Sequence, residues 1–419
     1  MAELFDDHTG LPGNDLFRDR LEQAAERGKR ERSQLALLIL SGDARLSDDT
    51  EAAQTVAEKL QGCVRATDTV ARPAPGIFAV VQTGLKHFDG AAFLAQKLLD
   101  SLDVPALAGA AGNGLDVGIG IAVFPEDGEP PALIAKASEA ASQAHGSGVG
   151  YRFHAAAMTS EARPRVDMGR DLHGAAGRGE LRLQYQPSMS LVDRVITGAE
   201  ALLRWQHPSG GLIPPELFVP IAEEIGLISE LGGWALRRAC SDLSAWQQAG
   251  IPPVRIAVNV AAQQMTEGDI VAVVDAALAE SGVDPAWLEL EITESGAMDR
   301  EISVYGTLAA IRRRGIRLTV DDFGTGYSSL AYLKDFPVDR IKIDRSFVRD
   351  LTNKHEDAAI VRAVIGLGHS LGMEVVAEGA DTAAHIDTLV KVGCDSVQGY
   401  HVSPPLDADD FAALLQKGL

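Results

Sequence analysis

Apolar and polar positions along the chain fall into two regimes. In the first, strand-like runs at Leu35–Leu40, Ile77–Val81 and Leu115–Val123 are separated by helical periodicities at Leu16–Arg27, Glu51–Val64 and Ala91–Leu102. That pattern predicts a modest α+β domain. A glycine-rich stretch at His145–Gly150 and the polar run Met158–Arg165 then punctuate the chain, which predicts a first domain at 1–155, a linker at 156–165 and a second domain at 166–419.

The second regime is more regular. Short β-branched runs at Ile196–Trp205, Val254–Val260, Leu288–Thr293, Ile316–Phe323, Arg340–Ile343, Glu374–Ala377 and Ser396–Tyr400 alternate with helix-length patterns near Pro215–Ile228, Leu231–Ala249, Gly268–Glu280, Arg300–Arg314, Asp357–Leu371 and Thr382–Val392. Repeated βα units over this length predict an α/β fold, a closed (β/α)8 TIM-like barrel. An open doubly wound sheet is the lesser alternative, because no glycine-rich dinucleotide fingerprint follows the first strand.

Polar residues stand at or just past the ends of successive strands: Glu200, Asn259, Glu291 with Glu294, Asp321 with Asp322, Lys342 with Asp344, Glu378, and Gln398. In a barrel these ends converge on one face, where active sites are built. Each acidic residue alone could equally cap the following helix. Collectively that reading fails, since Glu200, Asn259 and Glu291 lie within or beside apolar runs, where an unpaired polar group is costly. Carboxylates and an amide without clustered histidines or cysteines form a hard oxygen-donor set suited to Mg2+ or Mn2+. The adjacent pair Asp321-Asp322 could serve two ions, an arrangement used for in-line displacement at phosphorus, with Lys342 as a fixed positive charge. Phosphodiester hydrolysis is the expected reaction class. The glycine- and hydroxyl-rich segment Phe323–Leu330 that follows reads as a loop able to close over such a site.

Charge and composition narrow the partners. The 419 residues carry 59 acidic and 38 basic side chains, a formal charge of −21, and no basic stripe beyond short runs such as Arg312-Arg313-Arg314. Duplex nucleic acid is therefore not an expected partner. No apolar stretch reaches the roughly 18 to 20 residues of a membrane helix, and the first residues lack a signal-like pattern, so a soluble cytoplasmic protein is expected. Cys63, Cys240 and Cys394 are odd in number and far apart, which disfavours a disulfide framework or a zinc cluster.

From about residue 166 to 415 the chain resembles an EAL-type cyclic-di-GMP phosphodiesterase domain. The resemblance rests on Glu200-Ala201-Leu202-Leu203-Arg204, Asn259-Val260, Glu291-Ile292-Thr293-Glu294, Asp321-Asp322-Phe323-Gly324-Thr325-Gly326-Tyr327-Ser328-Ser329, Lys342-Ile343-Asp344, Ala377-Glu378-Gly379 and Gln398-Gly399-Tyr400. It implies hydrolysis of cyclic-di-GMP to linear pGpG with two Mg2+ (or Mn2+) ions. By the same resemblance Glu200, Asn259, Glu291 and Asp321 hold the first ion, and Asp321 and Asp322 share the second. Glu378 and Lys342, with Asp322, serve the attacking water. Gln186, Leu202, Arg204, Asp344 and Gln398 contact the dinucleotide, while Glu294 tethers the loop containing Gly324, Thr325 and Gly326 and couples it to a homodimer. The chain departs from the family at Ser188-Met189-Ser190, where an acidic residue is common, and at Ser403-Pro404-Pro405, where a basic residue is usual; both bear on substrate affinity. The alternative is a non-catalytic cyclic-di-GMP receptor.

The first 155 residues resemble a GGDEF diguanylate cyclase domain, from Asp6-Asp7-His8-Thr9-Gly10-Leu11-Pro12 to Val117–Ala122 and Pro125-Glu126-Asp127-Gly128. Its signature is absent: the five positions read Ala74-Pro75-Gly76-Ile77-Phe78, Ser41 replaces the expected metal-binding aspartate, leaving Asp43, and His145 replaces a lysine. Such a domain is expected to be inactive and to act in regulation, through a nucleotide or protein, or in dimerisation. Arg65 and Asp68 keep the spacing of the family's inhibitory product site, or form a solvated surface pair.

Overall fold

The computed structural model describes residues 4–85, 87–102, 107, 115–145, 150–266, 269–294, 302–324 and 336–418. The chain divides into two compact units, Met1–His173 and Gly174–Leu419.

In the first unit the strands β1 (Gln34–Ser41), β2 (Thr69–Ala74), β3 (Ile77–Leu85), β4 (Gly118–Phe124) and β5 (Tyr151–Phe153) form one sheet in the order β2-β3-β1-β4-β5. The unbroken apolar run of β1 is central and buried on both faces. Leu35, Leu37 and Ile39 on one face pack with Phe17 and Leu21 of helix Asn14–Glu31 and with Leu133 and Ala137 of helix Pro130–Ala144. Gly118 and Gly120 on β4 are needed for this packing, because a Cβ at either would collide with the backbone of helix Pro130–Ala144.

Residues 156–165, expected as a linker, open the helix Ala156–Leu172, which packs on helix Asp89–Leu102 within the first unit. Ala162 and Val166 are buried there, and Arg165 pairs with the fully buried Asp89. Pro164 sits inside this helix, a position that reads as a breaker when contacts are unknown.

The second unit is a closed barrel. Its strands are β6 (Leu181–Ser190), β7 (Ile196–His207), β8 (Gly211–Ile213), β9 (Arg255–Val260), β10 (Leu288–Thr293), β11 (Arg317–Phe323), β12 (Arg340–Ile343), β13 (Glu374–Ala377), β14 (Ser396–Gln398) and β15 (Leu406–Asp407). The ring runs β6-β14-β13-β12-β11-β10-β9-β7 and closes by pairing of β7 with β6. Neighbours are parallel except at β6, which is antiparallel to both β14 and β7. The barrel therefore departs from an all-parallel (β/α)8 ring at one strand. That strand has a readable alternation, with Leu181 buried and Leu183 and Tyr185 in the core between ring and helices, but Pro187 interrupts it, and proline weakens any strand pattern.

The alternation on the strands is the inverse of an ordinary barrel, whose interior is filled by branched aliphatics. On β10, Leu288, Leu290 and Ile292 join the core between strands and helices, leaving Glu289 and Glu291 to the barrel interior; on β12, Ile341 and Ile343 do the same for Arg340 and Lys342. The apolar core is thus a shell outside the ring, and the ring encloses charge. Among the described residues no helix is long and apolar enough to cross a membrane.

Candidate active site

Lys342 is almost fully buried, and its ammonium is the hub of the interior. Nζ lies 3.0 Å from Glu200 of β7, 2.8 Å from Glu291 of β10, 3.4 Å from Asp321 of β11 and 2.6 Å from Glu378, which follows β13. Burial works against the charged lysine, yet the carboxylates of Asp321, Glu200, Glu291 and Glu378 outweigh it and push the group well above its usual range. Burial pushes Glu291 well up and Glu378 up to about 7. Glu200 is held below its usual range despite burial, by Lys342 and by hydrogen bonds from Asn259 and Gln398.

The surrounding amides complete this geometry. Asn259 Nδ2 donates to Glu200 Oε1 at 2.7 Å, and Gln398 Nε2 donates to Glu200 Oε2 at 2.8 Å and to Gln186 Oε1 at 3.1 Å. Asn259 is itself solvent-exposed, so its place in an apolar run does not bury it.

Two consecutive aspartates reach one site because the strand is broken between them. The β11–β12 register shifts between Val320 and Phe323, and Asp322 has a left-handed φ of 54°. A regular strand would send neighbouring side chains to opposite faces. Here oxygen atoms of Asp321, Asp322 and Glu378 lie within 4.8 Å of one another, as do those of Glu200, Glu291 and Asp321. Asp321 belongs to both groups. All donors are hard oxygens, which fits Mg2+ or Mn2+, and the divalent charge would relieve the mutual repulsion that raises Asp322 after burial.

A cavity of about 660 Å3 opens above this cluster, lined by Gln186, Leu202, Arg204, Asp344 and Gln398 among others. Arg204 is half-buried and anchored: Nε donates to Gln184 Oε1 at 2.9 Å and Nη1 to the Leu203 carbonyl at 3.0 Å. Asp344 Oδ1 accepts from Ser346 N at 3.0 Å, so it caps the short helix Arg345–Arg349 while lining the cavity. Glu294 is buried and its Oε2 accepts from Gly324 N at 2.9 Å. Thr325, Gly326 and the rest of the loop through Leu330 lie outside the described residues.

Three further charged cavity residues, Glu216, Arg345 and Asp381, were not singled out from the sequence, and Tyr400, quoted only as the end of a motif, also lines the cavity. Arg345 directly follows one quoted motif and Asp381 stands two residues past another, so nearness to a motif was the available signal for these two. Asp381 Oδ1 accepts from Tyr400 N at 2.8 Å, and Ala380 N donates to the Gln398 carbonyl at 3.1 Å. These bonds join the turns that carry Glu378 and Gln398.

In the first unit the remaining aspartate is engaged. Asp43 receives Arg45 Nη2 at 2.6 Å and Asp116 N at 3.1 Å, and the Arg45 hydrogen bond, ahead of the backbone donors, holds its carboxyl down to about 2. The positions Ala74–Phe78 run from the end of β2 through the turn Pro75-Gly76 into the start of β3. Asp68 accepts from the amides of Arg65 and Thr83, both at 3.1 Å, which is a turn-stabilising role, whereas the Arg65 residue is exposed. Asp68 also lines a second cavity, of about 790 Å3, with Arg20, Arg27 and Arg30.

The EAL domain model matches residues 170–405, and the model of the diguanylate cyclase GGDEF domain matches residues 3–149. The bifunctional diguanylate cyclase/cyclic di-GMP phosphodiesterase MucR of Pseudomonas aeruginosa is 37% identical over 420 residues, covering 98% of this chain and 61% of MucR. The cyclic di-GMP phosphodiesterase NbdA of the same organism is 34% identical over 416 residues, covering 96% of this chain and 52% of NbdA. The solved structure of the PaMucR phosphodiesterase in complex with c-di-GMP is similar with a TM-score of 0.57 at 41% identity, covering 58% of this chain and 99% of that one. The chain spans about half to three-fifths of the length of these curated relatives. With its barrel matched over 170–405 and a second match over 3–149, the chain belongs to the EAL domain family and carries a GGDEF domain in tandem.

Proposed function

We propose that the barrel unit hydrolyses cyclic-di-GMP to linear pGpG. The observation that carries this reading is the pair of carboxylate groups sharing Asp321, gathered on Lys342 beneath a cavity of about 660 Å3. Glu200, Glu291 and Asp321, with Asn259 beside Glu200, would hold one Mg2+ or Mn2+ ion; Asp321 and Asp322 offer donors for a second, with Glu378 beside them. When bound, such a pair supplies Lewis-acid stabilisation for in-line displacement at phosphorus. The side chains do the rest. Lys342 holds Glu378 Oε1, leaving the second oxygen of that carboxylate to orient the attacking water and take its proton. Water adds to phosphorus as its proton passes to Glu378, the P–O3′ bond breaks, and the 3′ oxygen takes a proton from solvent while Glu378 releases its own. Gln186 and Gln398 offer amide edges to the nucleotide, and Arg204 a guanidinium to phosphate.

The first unit we read as a silent cyclase domain with a regulatory role. Support comes from Ala74–Phe78 in place of the signature, Ser41 at the end of β1, and Asp43 held by Arg45. A domain without free metal carboxylates lacks the means to hold a metal triphosphate for attack.

The test is incubation of the purified chain with cyclic-di-GMP and Mg2+ or Mn2+, followed by chromatography. Accumulating pGpG supports the enzyme. Tight binding without turnover in either metal replaces it with a receptor.

A further inference from the structure

We propose that Arg345 is a second phosphate-binding side chain of the barrel mouth, holding the phosphate of the dinucleotide that is not cleaved; this rests on cyclic-di-GMP being the substrate. A cyclic dinucleotide carries two phosphates. If one lies over the Glu200–Asp321 cluster, the other must settle against a wall where carboxylates outnumber cations, since the only basic residues lining the described cavity are Arg204 and Arg345. An anion left facing Glu216, Asp344 and Asp381 without a counter-charge would be repelled.

The two arginines differ in what already occupies them. Arg204 has Nε and Nη1 committed to Gln184 and the Leu203 carbonyl. Arg345 is exposed, and among the described residues no ion pair or hydrogen bond holds its guanidinium. Its backbone is nevertheless fixed. Gly379, with φ 69°, packs so closely that a Cβ there would lie 2.9 Å from Arg345 Cβ, so the base of the side chain is braced against the turn carrying Glu378. In the ring order β12 stands four strands from β7 in either direction, which puts Arg345 and Arg204 on opposite walls of the mouth. Two guanidinium groups facing each other across the carboxylate cluster suit a ligand with two separated phosphates.

The test compares the wild-type chain with Arg345→Ala and Arg345→Lys, measuring kcat and KM for cyclic-di-GMP and for its adenine analogue, across a range of salt. The expected result for Arg345→Ala is a KM raised roughly tenfold or more at unchanged kcat, as for loss of a charge-assisted hydrogen bond that serves binding alone. The salt dependence of KM weakens in parallel, guanine-over-adenine preference stays as in wild type, and Arg345→Lys recovers part of the loss. An unchanged KM overturns the assignment. So does a fall in kcat alone, which would place Arg345 in the chemistry, or a collapse of base preference, which would make it a reader of guanine. Should the alanine variant fold poorly by thermal melting, Arg345→Gln and Arg345→Lys give the same comparison. No turnover by the wild-type chain removes the substrate reading and this assignment with it, whereas turnover with an unaltered Arg345→Ala KM removes only the assignment.

Discussion

Glu289 and Arg340 form an ion pair at 3.1 Å one pleat beneath Glu291 and Lys342, two residues earlier on the same two strands. Glu289 is 1% exposed and Arg340 8%, and Thr319 Oγ1 and Glu374 complete their hydrogen bonds. The carboxylate cluster therefore rests on a second charged layer. Removing one member of a buried pair strands the other, at a cost of about 3–5 kcal/mol. Arg340→Met is expected to lower the barrel's urea midpoint accordingly, and adding Glu289→Leu to restore much of the loss. Equal or additive losses in the double variant would mean the pair is uncoupled.

Metal dependence should be complete. Chelation with EDTA is expected to abolish pGpG formation and Mg2+ or Mn2+ to restore it. Because second-layer partners of a metal commonly cost 10–100-fold when mutated, loss of a donor itself in Asp321→Asn or Glu200→Ala should lower kcat/KM by at least roughly a hundredfold. Chromatographic rates at saturating metal check this.

The turns carrying Glu378 and Gln398 are packed too closely for a side chain at Gly399, where a Cβ would overlap the Ala380 backbone. Gly399→Ala is expected to cost about 1–3 kcal/mol, typical of overpacking, and to lower turnover by shifting both residues. A variant with wild-type melting temperature and rate would show that the turns separate freely.

The first unit should show an acid-dependent contribution from Asp43. Its carboxyl is held down to about 2, below the ordinary aspartate range, so the Asp43–Arg45 interaction stabilises above that range and is lost as pH falls from about 4 towards 2. The melting-temperature difference between wild type and Asp43→Asn is expected to be present at pH 7 and to vanish across that window. A difference independent of pH would contradict the assignment.

GTP with Mg2+ or Mn2+ should yield no cyclic-di-GMP from this chain. Chromatographic detection of metal-dependent synthesis would show that Ala74–Phe78 and Ser41 do not disable the first unit.

Much of the site was legible before any coordinate. Polar residues at strand ends stand out because they interrupt short apolar runs, and Glu200, Glu291, Asp321, Lys342 and Glu378 meet in space as the repeated βα pattern implies. What spacing alone could not give is which partners meet. Glu200 and Lys342 are 142 residues apart, and their contact exists only because β7 and β12 face each other across a closed ring.

The amino-acid sequence by itself determined the two regimes, the βα repeat and the chemistry of the donor set, because these are local properties of periodicity and side-chain type. Only the tertiary structure decided that β6 closes the ring antiparallel, that a shifted register and the left-handed Asp322 bring two neighbouring carboxylates to one site, that residues 156–165 are helix, and that Asp43 is tied to Arg45. Each depends on burial and pairing between distant segments. The energy of a buried charge is set by what surrounds it in space, and a linear pattern does not contain that information.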